Sequence, residues 1–161
     1  QMFSFKSRRK KNEVNAFMRR LVDSTTPAFR HEIEELRSEQ RANRSVPVLI
    51  VPVVEDEPDT TLTAFGVTKD LSSNGMAVLS QQAISSEAVI VGVWNNQCCE
   101  FIRATIRHNE AIEGGYWQMG LELTEVVPRG DYINLSKLAV LADRIAADHL
   151  PAKFEMSMPT S

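Results

Sequence analysis

The chain contains 161 residues with a mass of 18.1 kDa, which is enough for one domain that buries its own hydrophobic core. With 43% hydrophobic and 24% charged residues, its composition is globular and excludes the disordered, collagen-like and disulfide-scaffold classes. No apolar run approaches the roughly 20 residues of a membrane-spanning helix. Because no apolar segment follows the basic residues near the start, we expect no secretory signal and a cytoplasmic location.

The net charge of −3 conceals an asymmetry along the chain. Residues 1–45 carry 11 Lys/Arg against 6 Asp/Glu, net +5, whereas residues 46–161 carry 7 against 15, net −8. A basic segment can attract the phosphates of nucleic acid, of a membrane or of a nucleotide ligand. Ordinary solvated helix surface explains the basic run at 6–11 equally well, so the charge alone does not select a partner.

Two short helices are expected in the basic segment. Apolar residues at the spacing of one helical face predict the first over 12–21: Val14, Phe17, Met18 and Leu21. Thr26 before Pro27 is typical of a capped helix start and predicts a second helix over 27–39. Neither helix is long enough to be stable alone, so each needs to pack on the remainder of the chain or on a partner.

From residue 46 onward, runs of β-branched and aromatic residues alternate with turn sequences. Six strands are predicted, over 46–54, 61–69, 76–80, 88–94, 98–107 and 116–123. Their short connections favour antiparallel pairing, because parallel neighbours need a crossover of about a dozen residues or more. The predicted fold class is therefore mainly β, a six-stranded antiparallel barrel, since closure removes exposed strand edges.

The last predicted element is an amphipathic helix over 135–149 that packs on the barrel with an apolar side formed by Leu135, Leu138, Leu141, Ile145 and the alanines. This pattern divides the chain into four parts. They are a basic tail with a helical extension at 1–40, the barrel at 41–127, the packed helix at 128–150 and a flexible tail at 151–161.

The sequence contains no recognisable catalytic or metal-binding motif. His31, His108 and His149 lack the spacing of a zinc site and are interpreted as surface residues. The loops of nucleophile-elbow, dinucleotide-binding and P-loop proteins are absent. Cys98 and Cys99 are neighbours that would point to opposite faces of a strand, which predicts reduced packing residues. We therefore expect no enzyme, no metal and no cofactor.

The turn Asp-Leu-Ser-Ser-Asn-Gly at 70–75 lies between two predicted strands. Asp70 and Ser72 can project the same way and offer a carboxylate and a hydroxyl, while Gly75 permits positive φ and close backbone approach. A carboxylate that faces two adjacent N–H donors suits the Watson–Crick edge of guanine. An ordinary Asx or Ser turn that closes a hairpin explains the same residues.

Three arginines, Arg37, Arg41 and Arg44, precede the first predicted strand. A guanidinium can bind phosphate through two parallel hydrogen bonds, contact guanine O6 and N7 in the same way, and stack on a base. The RxxxR spacing is weak evidence alone, because Arg103 and Arg107 share it and are interpreted as one face of a strand. Its position ahead of a barrel and of the 70–75 turn makes it informative.

These features together resemble the PilZ domain family, the bacterial receptors for cyclic di-GMP. The resemblance covers about 41–123: arginines leading into Val-Pro-Val at 46–48, the complete DxSxxG motif and a glycine-containing last strand at 116–123. It implies a six-stranded antiparallel barrel in which arginines hold the phosphates and guanine Hoogsteen edges, and the turn binds a guanine. The residues so assigned are Arg41, Arg44, Asp70, Ser72 and Gly75.

The segment at 37–44 that carries the three arginines, called the arginine segment below, departs from the family pattern. In the usual motif the second arginine directly precedes the Val-Pro-Val strand, whereas here Ser45 holds that place and Arg44 lies one residue earlier. Arg37 and Arg41 satisfy the spacing four residues further from the strand. Arg37 therefore joins the candidate site as the alternative register.

The resemblance implies a cytoplasmic, non-catalytic cyclic di-GMP effector whose arginine loop becomes ordered on binding and repositions the leading helices. Its expected partners are cyclic di-GMP and an unidentified protein, with no nucleic acid and no membrane span; a homodimer is one arrangement it allows. The alternative is an adaptor of the same fold that binds no nucleotide and acts through protein–protein interaction.

Overall fold

The computed structural model describes residues 2–23, 46–95 and 97–157, with side chains described over 8–21, 46–95 and 97–147. Its helices are α1 (Met2–Asp23) and α2 (Ile133–Ser157). Its strands are β1 (Pro47–Val54), β2 (Glu57–Pro58), β3 (Ala64–Leu71), β4 (Gly75–Ser80), β5 (Ala88–Asn95), β6 (Cys98–Ile112) and β7 (Tyr116–Val127). Short 3-10 turns lie at Thr60–Leu62, Glu113–Gly115 and Arg129–Asp131.

The strands form a closed antiparallel barrel. The sheet order is β2-β1-β3-β4-β7-β6-β5, and β1 also pairs with β5, with Leu49 opposite Gly92, which closes the ring. The two-residue strand β2 pairs only at the end of β1 within the described chain, so the barrel proper has six strands. The predicted fold class is therefore confirmed. Closure is favourable because it pairs the strand edges that an open meander would leave exposed.

The barrel interior and α1 share one hydrophobic core. Alternate residues of each strand point inward, as in β4, where Met76 and Val78 are buried. The apolar stripe of α1 belongs to the same cluster: Val14, Phe17, Met18 and Leu21. The helix contacts β7 and β5, and Lys10 adds an ion pair to Glu125 at 3.1 Å. Each large apolar side chain buried in this way contributes about 1.5 to 3 kcal/mol.

A second core lies between α2 and the outer face of β1, β5 and β6. Trp94 Nε1 donates to the carbonyl of Ala142 at 2.8 Å. Asp143 accepts from the amide of Cys99 at 2.7 Å and also pairs with Arg129, whose Nε donates to the Cys99 carbonyl at 3.0 Å. We call these three residues, Cys99, Arg129 and Asp143, the helix clamp. The clamp fixes which side of α2 faces the barrel.

The buried side of α2 agrees with the predicted one at Leu135, Leu138 and the alanines, and differs from it at Leu141 and Ile145. Its small residues make the contact, because they allow the helix axis to approach the sheet closely; they are Ala139, Ala142 and Ala146, together with Leu135. Leu141 and Ile145, predicted to face the barrel, are 54% and 46% exposed. The helix also continues to Ser157, beyond the expected end at residue 149.

Two other predictions can be compared with the structure. The helix expected over 12–21 is part of α1, which begins at Met2. Strand β6 was expected to end at 107 but runs to Ile112, because it pairs with β7 as far as the Glu113–Gly115 turn. The helix expected over 27–39 lies outside the described residues.

The two adjacent cysteines point to opposite faces of β6 as expected, but only Cys99 is a packing residue. Cys98 is exposed and Cys99 is buried, and both are free thiols. Burial, together with the nearby Asp143 carboxylate, raises the pKa of Cys99 to about 12. Cys99 therefore stays protonated and acts as a packing residue of the second core.

The helix clamp gives a first prediction. Asp143→Ala is expected to lower the free energy of unfolding by about 1 to 3 kcal/mol, because the Cys99 amide and Arg129 lose their acceptor. Urea unfolding near neutral pH measures this effect. The exposed neighbour Arg144→Ala is the control and is expected to stay within about 0.5 kcal/mol of the parent. Equal stability of both variants would show that the clamp does not hold α2.

The same prediction has a pH dependence. Burial opposes ionisation of Asp143, but the hydrogen bonds from Arg129 and from the Cys99 amide hold its pKa below the ordinary value. A carboxyl with a lowered folded-state pKa stabilises the fold above its unfolded pKa of about 3.9 and loses that contribution as pH falls further. The part of the Asp143→Ala effect that depends on ionisation should therefore disappear in acid.

Candidate functional site

A row of four residues in direct register crosses the outer face of the barrel from β3 through β4 and β7 to β6. In order, the row reads Asp70, Ala77, Gly120 and His108. Neighbouring strands lie about 4.8 Å apart, so the row spans roughly 14 Å. Its ends are polar and its middle is made of the two smallest residue types. The middle is thus a floor that a flat molecule can approach closely.

The first end of the row points outward because of a β-bulge in β3. Thr68 lies opposite Val78 and is buried in the barrel. Strict alternation would place Asp70, two residues later, on the same inner face. The pairing register shifts between Thr68 and Asp70, so that Asp70 lies opposite Ala77 on the outer face.

The other end is set by a bulge in β6. Ile106 lies opposite Leu121 and packs on the interior core. The register then shifts between Ile106 and His108, so that His108 pairs with Gly120 outside the barrel. Arg107, the additional residue, is exposed at the same place. Both polar ends therefore depend on an irregularity that inverts the facing of a strand.

An open cavity of about 760 Å³ lies over this row, a volume in the range of small-molecule sites. Polar side chains form its walls: Asp70, Ser72, Arg107, His108, Asn109, Glu110, Gln118 and Glu122. The structure therefore brings together at one cavity Asp70, Ser72 and Gly75, the three turn residues singled out in the sequence.

The turn at 70–75 is held against β7 by backbone hydrogen bonds. The amide of Ser72 donates to the carbonyl of Gly75 at 3.0 Å, and the Ser72 hydroxyl also donates to that carbonyl at 3.3 Å. The amide of Leu123 donates to the carbonyl of Asn74 at 2.8 Å. These bonds fix the Ser72 side chain on the rim of the cavity.

Gly75 is required for close approach and not for a left-handed backbone. A Cβ at this position would lie 3.0 Å from the carbonyl oxygen of Leu121 and 3.3 Å from Ser72 Oγ. Of the two properties that glycine permits here, Gly75 does not use a positive φ, since the described glycines with positive φ are Gly114 and Gly115, in the β6–β7 turn. The turn instead starts β4 directly, with Gly75 paired to Glu122.

The described walls of the cavity are net acidic. Asp70, Glu110 and Glu122 oppose Arg107, whose Nε donates to Glu122 at 2.7 Å and whose second nitrogen donates to the same oxygen. Lys69, at the β3 bulge, reaches Gln118 at 3.5 Å. Carboxylates and amides suit hydrogen-bond donors on a base, whereas a phosphate on these walls would face more anions than cations.

Val46, the first described residue after the three candidate arginines, is bonded to β3 close to Asp70. Arg37, Arg41 and Arg44 themselves lie outside the described residues. Val46, two residues after Arg44, exchanges hydrogen bonds with Thr68: its amide donates to the Thr68 hydroxyl and its carbonyl accepts from the Thr68 amide, each at 2.9 Å. The segment therefore joins the barrel two residues from Asp70.

Several cavity residues were missed by sequence reasoning. Arg107 was interpreted as one face of a regular strand and His108 as an ordinary surface residue. The bulge that brings both to the cavity has no local signature, because residues 106–108 fit an unbroken strand. Gly120 did carry a signal, since glycine inside a strand often marks a place where a ligand or backbone approaches closely.

The described residues offer neither a metal cluster nor a membrane-spanning helix. Within the described residues, no group of three His, Cys, Asp or Glu side chains could hold a metal ion. None of the helices, over the same residues, is long and apolar enough to span a membrane.

Comparison with known proteins gives structural neighbours only. No protein-family model and no curated protein matches the chain. The inhibitor of motility MotI/DgrA of Bacillus subtilis is similar at 14% identity and a TM-score of 0.40, over 68% of this chain and 50% of that one. PlzA of Borreliella burgdorferi, in complex with c-di-GMP, is similar at 10% identity and a TM-score of 0.41, over 82% and 60%. The chain thus spans about half to three fifths of the length of these neighbours.

The Gly75 geometry gives a second prediction. Gly75→Ala is expected to cost about 1 to 3 kcal/mol of stability, because the added methyl group would push against a backbone oxygen of the neighbouring strand. Gly130→Ala is the matched control, since a Cβ there meets nothing within 4 Å. Thermal and urea unfolding of both variants measure the difference, and a fully stable Gly75→Ala would contradict the close approach.

Proposed function

We propose that this chain is a cyclic di-GMP effector of the PilZ type that acts in the bacterial cytoplasm without catalysing a reaction. The observation that carries the proposal is the placement of Asp70 and Ser72 on the rim of an open, small-floored cavity, at the point where the arginine segment joins the barrel. The resemblance in the arginine, DxSxxG and last-strand motifs names the ligand. Each part of the ligand then has a complementary group on the chain.

Asp70 would read the guanine base. An ionised carboxylate accepts two hydrogen bonds side by side, as N1–H and N2–H of guanine require, and such charge-assisted bonds are the stronger kind. The Ser72 hydroxyl, already oriented by the Gly75 carbonyl, adds a second polar contact on the same rim. Adenine offers no such pair of donors on its Watson–Crick edge, so the carboxylate would also select between purines.

The phosphates need cations from outside the described walls. Because those walls are net acidic, a ligand with two phosphates would be repelled there unless arginines accompany it. Arg37, Arg41 and Arg44 supply that charge in the proposal, and their guanidinium groups fit phosphate in a bidentate manner. Base recognition on the barrel and phosphate recognition on the arginine segment thus divide the ligand between two parts of the chain.

Signal transfer would follow from this division. In the proposal, the arginine segment closes over the ligand. Ser45 is the one residue between Arg44 and Val46, and Val46 is bonded to the barrel directly before β1, so the connection is short. β7, which carries Gly120 and Glu122 in the cavity, is also the strand on which α1 packs. Ordering of the arginine segment would therefore change the environment of α1, an order-on-binding mechanism.

An adaptor function is the second candidate, and one surface favours it. The outward side of α2 exposes a set of large apolar residues: Ile133, Val140, Leu141 and Ile145. Exposed apolar groups that lie together are a common feature of protein interaction sites. In this alternative the barrel holds α2 in place and the partner protein is bound without a nucleotide.

Titration calorimetry with cyclic di-GMP tests the proposed function, and Asp70→Asn gives a third prediction. Loss of the charged acceptor is expected to weaken binding about 10- to 100-fold. Asp131→Asn, an exposed carboxylate away from the cavity, is the matched control. The variant should also lose preference for cyclic di-GMP over cyclic di-AMP. No binding by the parent chain would favour the adaptor, and unchanged affinity of Asp70→Asn would remove Asp70 from the site.

The arginine segment gives a fourth prediction. Arg41→Ala and Arg44→Ala are each expected to weaken binding more than Arg37→Ala, and Arg44→Lys should not restore it, because an ammonium lacks the planar fork. Binding should weaken further as salt rises, since exposed phosphate contacts are screened. If Arg37→Ala proves the most damaging, the register set back from the strand is the correct one.

A further inference from the structure

The cavity contains an aromatic ring that the proposed function has not used. His108 lies opposite Gly120, at the far end of the row from Asp70. A Cβ built on Gly120 would lie 3.0 Å from Cδ2 of His108 and 3.5 Å from its Cβ. The imidazole therefore leans over the bare backbone of Gly120 toward the middle of the row, where a side chain would otherwise stand.

The position of this ring leaves room for one more flat group between it and Asp70. The row covers three strand spacings, and the imidazole already reaches over the last position, so the remaining gap is about two spacings, roughly 10 Å. Its floor is the methyl group of Ala77 and the backbone around it, with no long side chain in the row. A purine whose edge meets Asp70 would extend across this floor toward the imidazole.

From this arrangement we propose that His108 is the stacking platform for a base of the nucleotide and that Gly120 is the residue that positions it. The inference rests on the proposed function and adds to it a residue that contributes affinity without selecting the base. Base–aromatic stacking is a common source of affinity for nucleotides, because every base presents a π face. Offset contact between rings 4.5 to 7 Å apart is the favoured geometry. Asp70 then selects the base by its edge, and His108 holds it by its face.

Stacking and hydrogen bonding make different demands on the side chain at position 108. Stacking needs a planar ring and no particular hydrogen bond, so His108→Phe should keep affinity within about threefold. His108→Gln keeps polar atoms without a ring and, like His108→Ala, should lose about 5- to 100-fold. If Gln preserves affinity and Phe does not, the imidazole acts as a hydrogen-bond partner and the stacking role is overturned.

Gly120 provides a positioning test that is independent of the side chain at 108. Gly120→Ala should weaken binding about as much as His108→Ala, because the new methyl group displaces the ring. In a His108→Ala background the same substitution should add little, since no ring remains to displace, and the double-mutant cycle measures this coupling. Additive losses would show that Gly120 acts without His108. Thr124→Ala, exposed on the same strand, is the control.

The closing experiment is titration of the full chain and these variants with cyclic di-GMP, followed by proton NMR of the His108 ring. Stacking predicts an upfield shift of the His108 ring protons on binding, which a purely structural role would not produce. If the parent protein and His108→Ala bind cyclic di-GMP equally well, this inference is overturned and the proposed function is not. Parent protein that does not bind overturns the proposed function, and the inference with it. Circular dichroism confirms that each variant is folded.

Discussion

Everything at the candidate site depends on the strict alternation of a β-strand and on two bulges that interrupt it. Alternation sends Thr68 and Ile106 into the barrel, and without a bulge Asp70 and His108 would follow them. Burying an ionised carboxylate in that apolar interior would cost more free energy than the hydrogen bonds of a turn could offset. Each bulge places its polar residue outside and aims it at the same floor, so a local irregularity creates the cavity.

The helices leave this face of the barrel available. α1 adds its apolar stripe to the interior core, and α2 covers the outer face of β1, β5 and β6 through its alanines and the helix clamp. The cavity lies on the outer surface of β3, β4 and β7 and of residues 107–110 of β6. The two cores and the proposed ligand site thereby lie on different faces, so substitutions on the floor need not disturb either core.

Much of the fold follows from the sequence because strand composition, turn residues and short connections all favour the same barrel. The DxSxxG turn was also identified, because its chemistry is local and Gly75 has one steric role. What sequence could not supply is non-local. The bulges at Lys69 and Arg107 arise from pairing with β4 and β7, and the close contact of Ala139 and Ala142 depends on the shape of the surface beneath α2. Sequence alone therefore grouped Leu141 and Ile145, which are exposed, with the buried alanines.

The most direct test of the account is a methyl NMR titration of alanine-labelled protein with cyclic di-GMP. Ala77 lies on the floor of the cavity, whereas Ala139 and Ala142 lie on the buried side of α2, against another face of the barrel. A ligand bound over the floor should shift the Ala77 methyl signal strongly and give intermolecular contacts to the purine, with little change at the other two alanines. If the ligand bound without shifting the Ala77 methyl signal, or shifted the Ala139 and Ala142 signals instead, the proposed placement of the site would be contradicted.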